Sequence, residues 1–139
     1  MPIETMFDLD AEEAVLGSLL IDGEAMATIA DWLKPEHFGR DKNRWIYQAM
    51  LALYKRGEDV NLITVDHELA QSGKMSQWDA FQYNEYLVWR TPTCVYLESY
   101  ARIVARLGYQ RELLAKGKVD LPIEMPKPKI KNKTIFRRE

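Results

Sequence analysis

Residues 8–38, DLDAEEAVLGSLLIDGEAMATIADWLKPEHF, decide how this chain folds. Asp8 is placed to cap a helix in which Ala11, Val15, Leu16, Leu19 and Leu20 recur at spacings of three and four, the period of one helical face. Asp22-Gly23 supplies a stop. Met26, Ile29, Ala30 and Leu33 trace a second short helix, and Pro35 is positioned to open a brief helical turn, since its ring pre-sets the backbone angle required there. The acidic pair Glu12-Glu13 falls at the start of the first helix, where compensation of the helix dipole and solvation account for it.

The same punctuation continues outward. Asp41 can cap a third helix whose residues Trp45, Ile46, Ala49, Met50, Leu53 and Tyr54 form a broad apolar face. It ends at Lys55-Arg56-Gly57, where cations meet the dipole and glycine tolerates a left-handed cap. Asn61 caps a fourth helix through Val65 and Leu69, closed by Gly73. Ser76 with Asp79 three residues on resembles a capping box for a fifth, carrying Trp78, Phe81 and Leu87. Thr91-Pro92-Thr93 breaks the chain, and the longest helix is predicted from about Val95 to Ala115. No stretch joins two-residue alternation to turn signals, so the expected fold is all-α: a compact bundle of about six helices over residues 8–116.

Within the sixth helix, Tyr96, Tyr100, Ile103, Leu107, Gln110 and Leu114 alternate by four and three, a coiled-coil-like seam. That face packs on its own domain or meets a helix of another chain, and both readings stay open. Gly108 weakens the helix by roughly 1 kcal/mol relative to alanine. From Gly117 the texture changes. Pro122, Pro126 and Pro128 forbid a continuous helix, and the intervening lysines favour an extended, flexible tail over residues 117–139, either disordered or ordered on a partner.

A chain of 139 residues suits one domain that buries roughly two thirds of its unfolded surface. Its net charge of −2 hides an asymmetry, because seven basic residues against three acidic ones give the tail +4 and leave the body −6. A single cysteine, Cys94, excludes an internal disulfide, and its neighbourhood lacks the cations of an activated thiolate; a buried thiol in a reducing cytoplasm is the expectation. No apolar run approaches the ~20 residues a membrane span requires, and MPIETMFDLD lacks the basic and apolar regions of a secretory signal.

Catalytic patterns are missing. The seven glycines stand apart from one another, and Glu112 and Val119 occupy key positions of the phosphate loop that Gly117-Lys118 would need. His67-Glu68 begins a zinc-protease motif, but Gln71 replaces the second imidazole, and His37 has no ligand companions nearby. No cofactor, metal or catalytic residue is therefore expected. Among the aromatics, Trp78, Phe81, Tyr83, Tyr86 and Trp89 are too dense to bury on one face, which points to a partner-binding patch. Trp78 and Trp89, with Tyr100, Ile103, Leu107 and Arg111 on the sixth helix, are the candidate partner-binding residues. Lys127, Lys129, Lys131 and Lys133 are candidates for phosphate contacts with nucleic acid.

Three segments carry a resemblance. Residues 8–38, the continuation RWIYQAMLALYKRGEDVNLITVDHELAQSGKM (44–75) and YLESYARIVARLGYQRELL (96–114) are similar to the N-terminal domain of DnaB-type replicative helicases, over roughly residues 8–115. The resemblance implies an all-helical globule followed by a two-helix hairpin. It further implies pairing of hairpins between subunits and a collar that supports the motor ring and docks primase. The chain departs from the family in three ways. WDAFQYNEYLVWRTPT (78–93) replaces small residues and a Tyr-Leu pattern with heavier aromatics. GKVDLPIEMPKPK (117–129) stands where the second hairpin helix should begin, and these 139 residues hold no ATP-hydrolysing motor.

The resemblance implies a non-catalytic replication protein whose partners are a replicative helicase, a primase or a helicase loader, with self-association through the long helix. As recruiter or decoy, such a protein suits a phage or mobile element. One alternative is the N-terminal piece of a split or truncated ATP-dependent helicase. Another is an accessory protein that binds DNA weakly through its basic tail.

Overall fold

A computed structural model describes residues 6–91 and 95–117. Among these residues it contains six α-helices and no strand: α1 (Leu9–Ile21), α2 (Met26–Ile29), α3 (Asp41–Lys55), α4 (Leu62–Ser72), α5 (Gln77–Arg90) and α6 (Leu97–Ala115). Single 3-10 turns at Gly23–Ala25 and Pro35–His37 join the early elements. The all-α expectation holds, as do the main caps. Asp8 accepts the amide of Ala11, Asn61 and Thr64 exchange hydrogen bonds, and Ser76 accepts the amide of Asp79. Gly57 and Gly73 adopt positive φ at the ends of α3 and α4, the conformation glycine reaches without a Cβ penalty.

α1 is the centre of the molecule. It packs against α3, α5 and α6, so nearly its whole circumference is covered. A helix covered all round must be apolar or must bring partners for its polar groups. Leu16, Leu19, Met26, Ile29, Ile46 and Leu87 fill the interior around it. Tyr47 is buried against Phe38, with ring centroids 5.1 Å apart, and its hydroxyl donates to the Leu33 carbonyl at 2.9 Å. Burial pushes that phenol well above its usual range.

The acidic pair on α1 overturns the sequence expectation. Glu12 and Glu13 are 1% and 5% exposed, so solvation does not account for them. The Glu12 carboxylate accepts the amides of Gly39 (2.6 Å) and Arg40 (3.4 Å) and the Asn43 side-chain amide (2.8 Å). It thereby places an anion at the N-terminus of α3, where the dipole favours it. Asp41 is correspondingly not the cap of α3. Arg40 occupies that position without a capping side chain, and Asp41 is the first helical residue, paired with Arg44 at 3.0 Å. Removing one of the Glu12 donors from this buried carboxylate costs about 1–3 kcal/mol or more, because no water replaces the lost hydrogen bond.

Two further expectations shift. Tyr54 leaves the apolar face of α3 and is exposed, while Tyr47 and Leu51 are buried there instead. α6 starts at Leu97 rather than Val95, and its buried line is Leu97, Ala101, Val104, Ala105 and Gly108. The predicted seam runs beside that line, so Tyr100, Ile103, Leu107, Gln110 and Leu114 are half-buried and Tyr96 is exposed. The small residues of the inner line let α6 approach closely. A Cβ at Gly108 would lie 2.5 Å from the Cα of His37. Gly108 is therefore the contact surface for the Pro35–His37 turn, and not merely a weak point in the helix.

The expected effect of Gly108→Ala is a loss of about 1–3 kcal/mol from overpacking, although alanine is the better helix former. Urea unfolding would show a lower midpoint at unchanged slope.

His37 yields a pH dependence. Its Nδ1 accepts the Lys34 amide at 3.0 Å while α6 covers the ring, and burial holds its pKa below the ordinary 6.5; Arg111 and Lys34 act in the same direction, Glu36 and Glu112 against it. With the folded pKa depressed, the unfolded chain binds the proton first as pH falls. Stability is thus complete above 6.5 and declines below it, until the folded pKa is passed. Urea midpoints followed from about pH 8 to pH 5.5 should fall for the natural protein and stay flatter for His37→Asn.

Candidate protein-interaction surface

α5 divides into three faces. Ala80, Asn84 and Leu87 are buried against the body. Tyr83, Tyr86 and Arg90 form one flank that reaches α1 and α3. The Tyr86 hydroxyl donates to Glu13 at 2.8 Å, and Arg90 pairs with the same carboxylate in a very short contact and with Asp10 at 3.5 Å. The Tyr83 hydroxyl donates to Asn43 at 2.6 Å and accepts from Arg40 at 3.4 Å, while the ammonium of Lys42 lies 4.9 Å from its ring centre. Burial pushes the Tyr83 phenol up, with the Arg40 hydrogen bond opposing. Two of the five clustered aromatics therefore hold the fold together.

Trp78, Phe81 and Trp89 form the opposite flank, one helical face by spacing. Trp78 and Phe81 stack at 5.9 Å, and Trp78 and Trp89 remain 64% and 82% exposed. Glu85 lies between them in sequence, and Asp66 of α4 accepts the Asn84 side-chain amide at 2.5 Å. Burial raises the Asp66 carboxyl above its usual range, and the charge of Glu85 adds to that. Large exposed indoles next to acids on a rigid helix suit protein contact, because they offer wide apolar area with little conformational freedom to lose.

A second candidate lies where α1, α5 and α6 meet. Asp8, Asp10, Ala14, Arg90, Tyr100 and Ile103 line a groove of about 270 Å³. Tyr100 and Ile103 are thus brought together, but apart from the α5 ridge in sequence and in lining. Leu107 stays half-buried further along α6. Arg111 is turned inward, its guanidinium donating to the carbonyls of Met6 (2.7 Å), Glu36 (3.3 Å) and His37 (3.0 Å). Lys127, Lys129, Lys131, Lys133 and Cys94 lie outside the described residues.

Among the described residues, no group of three or more potential metal ligands converges. Glu68, next to the exposed His67, is held by Arg56 at 2.8 Å. No helix among them is long and apolar enough to cross a membrane.

A central α1 packed against α3, α5 and α6 defines the scaffold. The solved N-terminal domain of DnaB helicase from Mycobacterium tuberculosis superposes with a TM-score of 0.74 at 35% identity, covering 80% of this chain and 79% of that one. The chain belongs to the DnaB-like helicase N-terminal domain family, which it matches over residues 4–106. Replicative DNA helicase DnaB of Geobacillus stearothermophilus is 38% identical over 106 residues, 76% of this chain and 23% of that protein. Replicative DNA helicase DnaC of Bacillus subtilis (strain 168) is 35% identical over 107 residues, 77% of this chain and 24% of that protein. The chain thus spans about a quarter of the length of these relatives.

The two kinds of α5 residue separate in a stability measurement. Trp89→Ala should change the unfolding free energy by less than about 0.5 kcal/mol, as at other exposed sites, whereas Leu87→Ala should remove about 2–5 kcal/mol. Urea titrations of both variants compare them directly.

Proposed function

We propose that this chain is a non-catalytic DNA-replication protein that works by protein–protein contact, engaging a replicative helicase, a primase or a helicase loader as recruiter or decoy. The observation that carries this reading is the exposed Trp78–Phe81–Trp89 flank of α5 on a helicase N-terminal fold. An indole 82% exposed contributes little to folding, so its place on a rigid helix is explained by a partner. The groove at Tyr100 and Ile103 and the half-buried Leu107 offer α6 as a further contact, including one between copies of the chain. Arg111 acts there indirectly, by holding α6 on the Pro35–His37 turn. The working compartment is the cytoplasm, with one unpaired cysteine and no cofactor.

A second reading follows from the matched length. A chain that spans about a quarter of its relatives is also what the N-terminal piece of a split helicase would look like. Co-purification with a separate ATP-hydrolysing motor chain would support that reading.

The test is titration of the protein against purified helicase, primase and loader by calorimetry. Binding at micromolar concentration is expected for one of them, and Trp78→Ala with Trp89→Ala should weaken it by roughly 30-fold or more, the effect of losing one interface hot spot. Absence of binding to all three would overturn the proposal.

A further inference from the structure

We propose that the acidic, aromatic face formed by α4 and α5 is the docking site for the chain's own basic segment, KPKIKNKTIFRR (127–138), bound in cis. The segment competes with the proposed partner for the same tryptophan flank, and its docking is measured without that partner.

The face has a one-sided charge. Between Gly57 and Trp89 the chain holds six acids, at 58, 59, 66, 68, 79 and 85, and a single cation, Lys74. Glu58 and Glu68 are taken by Arg56, at 3.0 Å and 2.8 Å. The ammonium of Lys74 lies 5.9 Å from the ring centre of Trp45, on α3. Asp66 and Glu85 form no ion pair among the described residues and are close enough to repel, while Asp79, at helical spacing from Tyr83 and Tyr86, belongs to the other flank of α5. Trp78, Phe81 and Trp89 share this face. A ligand that suits it carries several cations, for the acids and for the faces of the indoles, with a few apolar side chains among them.

The segment 127–138 has that composition. It contains six cations, no acid, and Ile130, Ile135 and Phe136. Lys127 lies ten residue steps beyond Gly117, a reach of about 33 Å when extended. A domain this size has a radius of gyration of ~13 Å, so the segment reaches well past the end of α6 and over the adjoining surface. A tether this short keeps the effective concentration near the millimolar range, where contacts too weak to form between molecules are populated within one. Other occupants are disfavoured by the same charges. A second copy would set Asp66 and Glu85 against themselves, and a nucleic-acid backbone would meet like charge.

The experiment compares backbone-amide and tryptophan-indole NMR spectra of the full chain and a variant carrying Lys129→Glu, Lys131→Glu and Lys133→Glu. The expected result is a shift of the Trp78 and Trp89 indole signals and of the Phe81 and Glu85 amides, with the Trp32 and Trp45 indoles unmoved. Glu85→Lys should displace the same indole signals, and combining it with the tail reversals should restore the natural positions. High salt should reproduce the effect of the tail reversals. The proposal is overturned if the tail reversals leave α5 unmoved, if the shifts fall on α6 instead, or if dilution abolishes the natural signal positions, since the contact would then lie between molecules.

Discussion

Two adjacent carboxylates on α1 set the terms for the rest of the molecule. Glu12 and Glu13 follow one another on a helix, so they point about 100° apart and address different neighbours. Glu12 requires the backbone at 39–40 and Asn43, whereas Glu13 requires Arg40, Tyr86 and Arg90. The Tyr83–Asn43 hydrogen bond closes the circuit between α5 and α3. A buried charge left unpaired is expensive enough that α3 and α5 must both arrive at the same turn of α1. Apolar packing alone would tolerate small rotations of those helices, but a network of directed hydrogen bonds does not.

Close approach is the second constraint, and glycine provides it on both α1 and α6. A Cβ on Gly17 would lie 2.6 Å from the Leu87 carbonyl, where the end of α5 crosses α1. Gly108 performs the equivalent service between α6 and the Pro35–His37 turn. Arg111 then fastens the same region by donating to three carbonyls, which joins the start of the described chain to its last helix. These contacts explain why the inner line of α6 is built from small residues while its larger ones ride beside it.

Much of the architecture was legible in the sequence because it depends on local chemistry. Caps at Asp8, Asn61 and Ser76 and left-handed ends at Gly57 and Gly73 involve residues within a turn of one another. The partners of Glu12 and Glu13 lie between 27 and 77 residues away, beyond any local pattern. The α6 seam misled for a related reason: spacing marks the large apolar residues, while contact went to the small ones. The aromatic cluster on α5 was half legible. Its density announced that some rings stay outside, but only Asn43 and Glu13, distant in sequence, decide that the hydroxyls of Tyr83 and Tyr86 are tied to the body while the tryptophans are not.

That division of α5 has a consequence for how such a domain changes over generations. The flank that answers Glu13 is fixed by the fold, since any drift there strands a buried charge. The tryptophan flank carries no such obligation, so mutation can rewrite it residue by residue while the scaffold remains intact. A lineage could exchange one binding partner for another through a handful of exposed positions on a single helix, without passing through an unfolded ancestor.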